Sequence, residues 1–122
     1  MDVVVITFDG EIADFPVLIQ SVDNLIADGT RHLVIDLHSL PFINSAALGY
    51  LVKARANLER MDGELALARV QPAIQNILEM TGLDSVFPAF QSIEEAVDHL
   101  GGDPTDGDPA DGKKPVRHSN WR

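Results

Sequence analysis

The stretch that most constrains this chain is a strand-to-helix joint. His32-Leu33-Val34-Ile35-Asp36-Leu37 is a short apolar run rich in β-branched residues, and from Ala46 the apolar positions switch to helical spacing at Ala47, Tyr50, Leu51, Ala54, Leu58 and Met61. A strand must therefore pass through the short loop His38–Ile43 into a helix, with Asn44 and Ser45 at its start. A helix start presents unpaired N–H groups and the positive end of the macrodipole. Asn44 or Ser45 could cap it, and a phosphate on Ser45 would meet a favourable field there. The position tolerates a change of charge without loss of the helix.

The same alternation runs through the chain. Val3 to Phe8 is a near-continuous apolar run closed by the turn dipeptide Asp9-Gly10, after which Glu11-Ile12 can resume an extended course. Asp14 and Pro16 then open a helix whose stripe is Phe15, Leu18, Ile19, Val22, Leu25 and Ile26, ended by Gly29. Beyond Met61-Asp62-Gly63, Leu65-Ala66-Leu67-Ala68 reads as a buried strand, and Pro72 and Gly82 bracket a third helix. Pro88 demotes Val86–Phe90 to an edge strand, and Ser92-Ile93-Glu94-Glu95 is a capping box for a last helix reaching Leu100. Strands alternating with helices predict an α/β fold: one small mixed, mostly parallel sheet of four to five strands with about four helices, and an antiparallel pair allowed near the N-terminus.

The domain is expected to span residues 1–101. Residues 102–122 carry four acids followed by four bases, with Val116 and Trp121 as the main apolar residues, and read as a disordered tail. A second reading has Lys113, Lys114, Arg117 and Arg122 folding back on the acidic core or holding a partner, with Trp121 as an anchor.

Charge and chemistry narrow the function. The net charge of −10 resides in residues 1–100, which disfavours nucleic acid and anionic membranes as partners and favours proteins. Lys53, Arg55, Arg60 and Arg69 make the second helix and its sequel locally basic. No run approaches the ~20 apolar residues of a membrane helix, and the chain opens Met1-Asp2-Val3, so membrane insertion is not expected and a cytoplasmic location is. There is no cysteine, and His32, His38, His99 and His118 lack metal-site spacing, so neither metal nor cofactor is expected. Ser45 has no G-x-S-x-G context, no phosphate loop occurs, and His38 and Ser39 lack a third orienting group, so catalysis by the chain itself is not expected. Asp36, at a strand end, reads as structural.

The run Asp36-Leu37-His38-Ser39-Leu40-Pro41-Phe42-Ile43-Asn44-Ser45-Ala46-Ala47-Leu48-Gly49 resembles the STAS family of bacterial anti-sigma factor antagonists, whose members typically read D-L-S-x-V-x-F-I-D-S-S-G-L-G here. The likeness runs over roughly residues 2 to 100, with Gly10-Glu11-Ile12 near its start and Thr81-Gly82-Leu83 near its end. Asn44, Ala46 and Ala47 replace the family's Asp, second Ser and Gly, which leaves Ser45 as the one hydroxyl of that triplet.

The resemblance implies that Ser45 is the regulatory phosphorylation site. It further implies that the unphosphorylated chain binds an anti-sigma factor with a histidine-kinase-like ATPase fold, which acts as its serine kinase, and that a metal-dependent serine phosphatase resets it. Asn44, Ser45, Ala46, Tyr50 and Lys53 are the expected partner contacts, while Phe42, Ile43, Leu48 and Tyr50 suit the core better than an interface, so that Tyr50 carries both readings. The family also admits an unphosphorylated scaffold or an accessory subunit of a transport or signalling complex. Nucleotide binding, a property of some members, finds no phosphate loop in this chain.

Overall fold

The computed structural model describes residues 2–103 and 112–121. Five strands, β1 (Val3–Thr7), β2 (His32–Asp36), β3 (Glu64–Ala68), β4 (Ala89–Phe90) and β5 (Val116–Asn120), form one sheet in the order β4-β3-β2-β1-β5. Every pairing among them is parallel, so the antiparallel pair allowed near the N-terminus is not formed. Instead of resuming a strand after Asp9-Gly10, the chain makes a 3-10 turn at Ile12–Asp14, where the Asp14 carboxylate accepts the Glu11 N–H at 2.9 Å. That turn leads directly into α1 (Phe15–Ala27).

Burial on both sheet faces explains why β1 and β2 are apolar without alternation. On one face Val4, Ile6, Phe8, Leu33, Ile35, Leu65 and Leu67 pack beneath α1, α2 (Ser45–Glu59) and α3 (Pro72–Thr81). On the other, Val3, Val5, Val34, Ala66 and Ala68 pack against Ala96, Val97 and Leu100 at α4 (Ile93–His99). Two alanines and three valines make this second face shallow enough for a single short helix to cover. The expected punctuation is present: Pro72 opens α3, Gly82 ends it at φ 75, and the Ser92 hydroxyl accepts the Glu95 N–H at 3.1 Å. None of the helices is long and apolar enough to cross a membrane among the described residues.

The C-terminal segment corrects the expected disordered tail. Residues 116–120 are strand β5, and Trp121 is only 8% exposed, with its ring 4.9 Å from that of Phe8 in an edge-on contact. Lys113 pairs with Asp98 and Lys114 donates to the Leu100 carbonyl, as the fold-back reading has it. The reason lies in β1, whose first four residues have no exposed surface and whose second edge needs a partner. Residues 104–111 and Arg122 of the expected tail lie outside the described residues.

At the upper end of the sheet, the fully buried Asp36 carboxylate gathers four donors. The Thr7 hydroxyl donates at 3.1 Å, the His38 N–H at 3.1 Å, Arg69 Nε at 3.0 Å, and Arg69 Nη2 completes a bidentate pair. Arg69 sits at φ 53, a left-handed conformation that costs a non-glycine residue about 1 kcal/mol. Its N–H is held by the Phe90 carbonyl at 2.7 Å. Hydrogen bonding to Asp36 holds the Arg69 guanidinium more firmly protonated than a free one.

Arg69→Met leaves a buried carboxylate without its counter-charge. We expect a loss of about 2–3 kcal/mol in urea unfolding, below the fully buried range because the Arg69 side chain is 42% exposed; a loss under about 0.5 kcal/mol would contradict the role given to the pair. At the opposite end of the sheet, burial pushes the His32 imidazole below its ordinary 6.5, Lys114 adds to this and Glu64 opposes it. The unfolded chain therefore takes up a proton that the folded chain resists. Stability is full above 6.5 and falls as the pH drops below it. The decline from about pH 7.5 to about 5.5 should be smaller in His32→Val than in the parent, and equal declines would exclude His32 as its source.

Candidate functional site: the exposed tip of the second helix

Asp36 fixes the point at which the chain leaves the sheet, and the loop beyond it is stapled rather than free. The Ser39 hydroxyl accepts the Gly10 N–H at 3.1 Å and lies 2.8 Å from the Phe8 carbonyl and 3.0 Å from that of Gly10, so it ties the β2–α2 loop to the β1–α1 loop. Leu37, Leu40 and Ile43 are buried beneath this loop, and the Gln71 amide donates to the His38 carbonyl at 2.6 Å. His38 Nδ1 lies 3.6 Å from Asp36, and Ser39 spends its hydroxyl on backbone, so neither is organised around Ser45 as a catalytic partner. Phe42 departs from the core expectation and is 51% exposed, two residues before the N-cap position Asn44.

Helix α2 then begins with a division of tasks. Asn44 is the cap: its backbone is extended, and its side-chain oxygen accepts the Ala47 N–H at 2.8 Å. Ser45 is the first helical residue, exposed, and spared from capping. The first turn of α2 contains no acidic residue. A dianion on the Ser45 oxygen would face the open N–H end of a 15-residue helix with no like charge in that turn.

Beside Ser45 lies a mainly apolar groove of about 210 Å3. Ile12, Phe15, Pro16 and Ile19 form one wall, and Asn44, Ala46 and Ala47 form the other. Ala46 is exposed and Ala47 is buried. Tyr50, on the apolar stripe of α2 and also an expected partner contact, is half-buried and turned toward α1. Its hydroxyl lies 3.0 Å from the Ile19 carbonyl and 2.8 Å from Asp23, and its ring meets Phe15 edge-on at 6.4 Å. Burial, with the Asp23 carboxylate beside it, pushes the phenol well above its ordinary 10. Tyr50 thus fixes α2 to α1, the helices whose first turns carry the groove walls.

Lys53 is exposed two helical turns beyond Ser45, on the same side, together with Val52, which is 38% exposed and which the sequence reading did not single out. The signal for Phe42 and Val52 would have been local: one stands in a loop beside Pro41, the other off the apolar stripe of α2. A larger depression of about 450 Å3 between α3 and β4 is lined by Gln75, Asn76, Gln91, Pro72 and apolar side chains, without an ionisable or nucleophilic group. Among the described residues no group of three or more His, Asp and Glu side chains could hold a metal ion.

The STAS domain family model matches residues 1–96. A Bordetella bronchiseptica protein assigned as an anti-sigma factor antagonist, BtrV, is 35% identical over 68 residues, covering 56% of this chain and 59% of that protein. An anti-sigma F factor antagonist of Paenibacillus polymyxa is 29% identical over 70 residues, covering 57% and 60%. The chain thus spans about three fifths of the length of these two curated relatives. The crystal structure of an anti-sigma factor antagonist from Mycobacterium paratuberculosis superposes with a TM-score of 0.66 at 28% identity, covering 79% of this chain and 85% of that one.

The division of tasks at the helix start is measurable. Asn44→Ala should cost about 1 kcal/mol in urea unfolding, whereas Ser45→Ala should change stability by under about 0.5 kcal/mol. A larger loss from Ser45 than from Asn44 would assign the cap to the wrong residue.

Proposed function

The chain belongs to the STAS domain family, and from that premise we propose that it is an anti-sigma factor antagonist, a regulatory binding protein governed by phosphorylation of Ser45. The observation that carries this reading is the exposed hydroxyl at the first position of α2, freed from capping by Asn44 and set beside an apolar groove.

In the unmodified state the groove walls, Ala46 and the exposed Phe42 offer apolar area to a protein partner, and the exposed Lys53 offers a positive charge two turns further along α2. The partner is an anti-sigma factor that also acts as a serine kinase. Docking on it frees a sigma factor, so transcription responds without contact between this chain and DNA. The acidic body supports that separation from nucleic acid.

Transfer of the ATP γ-phosphoryl group to the Ser45 oxygen expels ADP and the hydroxyl proton. It places about −1.5 to −2 charges, with their hydration shell, at the rim of the groove. The helix end accommodates that charge, so the fold persists; an apolar interface does not, so the partner is released. A metal-dependent phosphatase restores the hydroxyl. Asn44 supports this arrangement by capping α2 without adding a second negative charge next to the phosphate.

Incubation with ATP and the candidate anti-sigma factor, followed by intact-mass measurement, should show one added phosphate, lost in Ser45→Ala. Ser45→Ala should bind the partner like the parent, and Ser45→Asp should fold normally yet bind at least about tenfold more weakly. Parent-like affinity in a folded Ser45→Asp chain, or phosphate retained in Ser45→Ala, would overturn the switch.

A further inference from the structure

We propose that the outer edge of β1 and the socket beside Phe8 form a strand-acceptor site, filled in cis by residues 116–121 and able to take the same segment from a second copy of this chain. β1 is an interior strand, with no exposed surface on Val3, Val4, Val5 or Ile6. One of its edges is paired with β2. The other is paired along its whole length with β5, from Val3 opposite Val116 to Thr7 opposite Asn120, and the Val3 N–H donates to the Pro115 carbonyl at 2.8 Å. An apolar edge of this kind has to be covered.

The cover is held in an unusual way. Arg117, His118 and Asn120 are exposed, so the strand binds through its backbone ladder and two anchors rather than through an alternating apolar face. Val116 packs on the second sheet face beside Val3, where Gly102 approaches so closely that a Cβ would stand 3.0 Å from Val3 and 3.2 Å from Val116. Trp121 fills the socket against Phe8, with its carbonyl accepting the Ser21 hydroxyl of α1. A main-chain ladder with an aromatic anchor is the physics of strand addition, in which sequence matters little along the strand and much at the pocket.

Two further features make the segment exchangeable. Few of its side chains are buried, which places its opening at the low end of the local stabilities within a domain. Charge does the rest: residues 113–122 carry four bases and no acid, whereas residues 1–100 carry the net −10. Lys113 reaches Asp98 at 3.2 Å, and Arg117 Nε lies 3.9 Å from Asp2. The segment of one copy is thus attracted to the body of another as to its own, and cis occupancy prevails in dilute solution only through its millimolar-scale effective concentration.

The test uses a labelled peptide of residues 112–122 and the full chain. Trp121→Ala, checked for native circular dichroism, should bind the peptide at least tenfold more tightly than the intact chain does, and a peptide bearing the same change should bind neither. A folded Trp121→Ala chain that ignores the peptide, or equal affinity for both chains, overturns the proposal. Hydrogen exchange on the intact chain keeps the test independent of that variant. Amides of 117–121 should exchange at least tenfold faster than those of 33–36, and equal protection would make β5 an inseparable part of the sheet. Light scattering should show a dimer fraction that grows with concentration in the intact chain and is lost in Trp121→Ala, whereas a strict monomer up to millimolar concentration excludes a second copy as the occupant.

Discussion

One buried carboxylate organises the end of the sheet from which the site is built. Asp36 has no exposed surface, and a charge so placed is tolerable only when its lone pairs are filled by well-placed donors. Thr7 supplies one from β1, the His38 N–H one from the loop, and Arg69 two from beyond β3, in a left-handed backbone conformation that the pair holds in place. Three neighbouring parallel strands are thereby locked in register at their upper ends. The loop that departs from Asp36, stapled again by Ser39, can then deliver the start of α2 to one fixed place.

What stands at that place follows from separating structure from signal. Asn44 satisfies the helix end, Ala47 and Leu51 bury the inner face, and Tyr50 fixes α2 against α1 through Ile19 and Asp23. Ser45 has none of these duties. A residue without structural work, exposed at a positive helix end, can change by two charges while the packing beneath it stays as it was. An edge-on series of rings from Trp121 through Phe8 and Phe15 to Tyr50 supports the groove from below, so the same core that stabilises the domain also holds the groove wall.

The sequence is legible where the physics is local. The switch from strand to helical spacing around residue 45, the glycine that ends α3 and the Ser92 cap depend on a few adjacent residues, and each has its expected counterpart. The features that escaped join distant positions. Arg69 meets Asp36 across 33 residues, Ser39 meets Gly10 across 29, and β5 joins β1 by a backbone ladder that leaves little imprint on side-chain composition. Phe42 left its expected core surroundings for the same reason: which side of a loop faces a neighbour is decided by where that neighbour lies. Placing α4 on the second sheet face likewise needed the small residues Ala66 and Ala68 to be seen side by side with Val34.

The regulatory reading demands a phosphate that alters a surface and leaves the interior untouched. The most direct measurement is a comparison of amide spectra of the intact chain with and without phosphoserine incorporated at position 45 during synthesis. Shifts confined to the first turns of α1 and α2 and the loop 38–44, with the β2 and β3 amides around Asp36 unchanged, are the predicted result. Shifts spread through the sheet, or a phosphorylated chain that fails to fold, would contradict it.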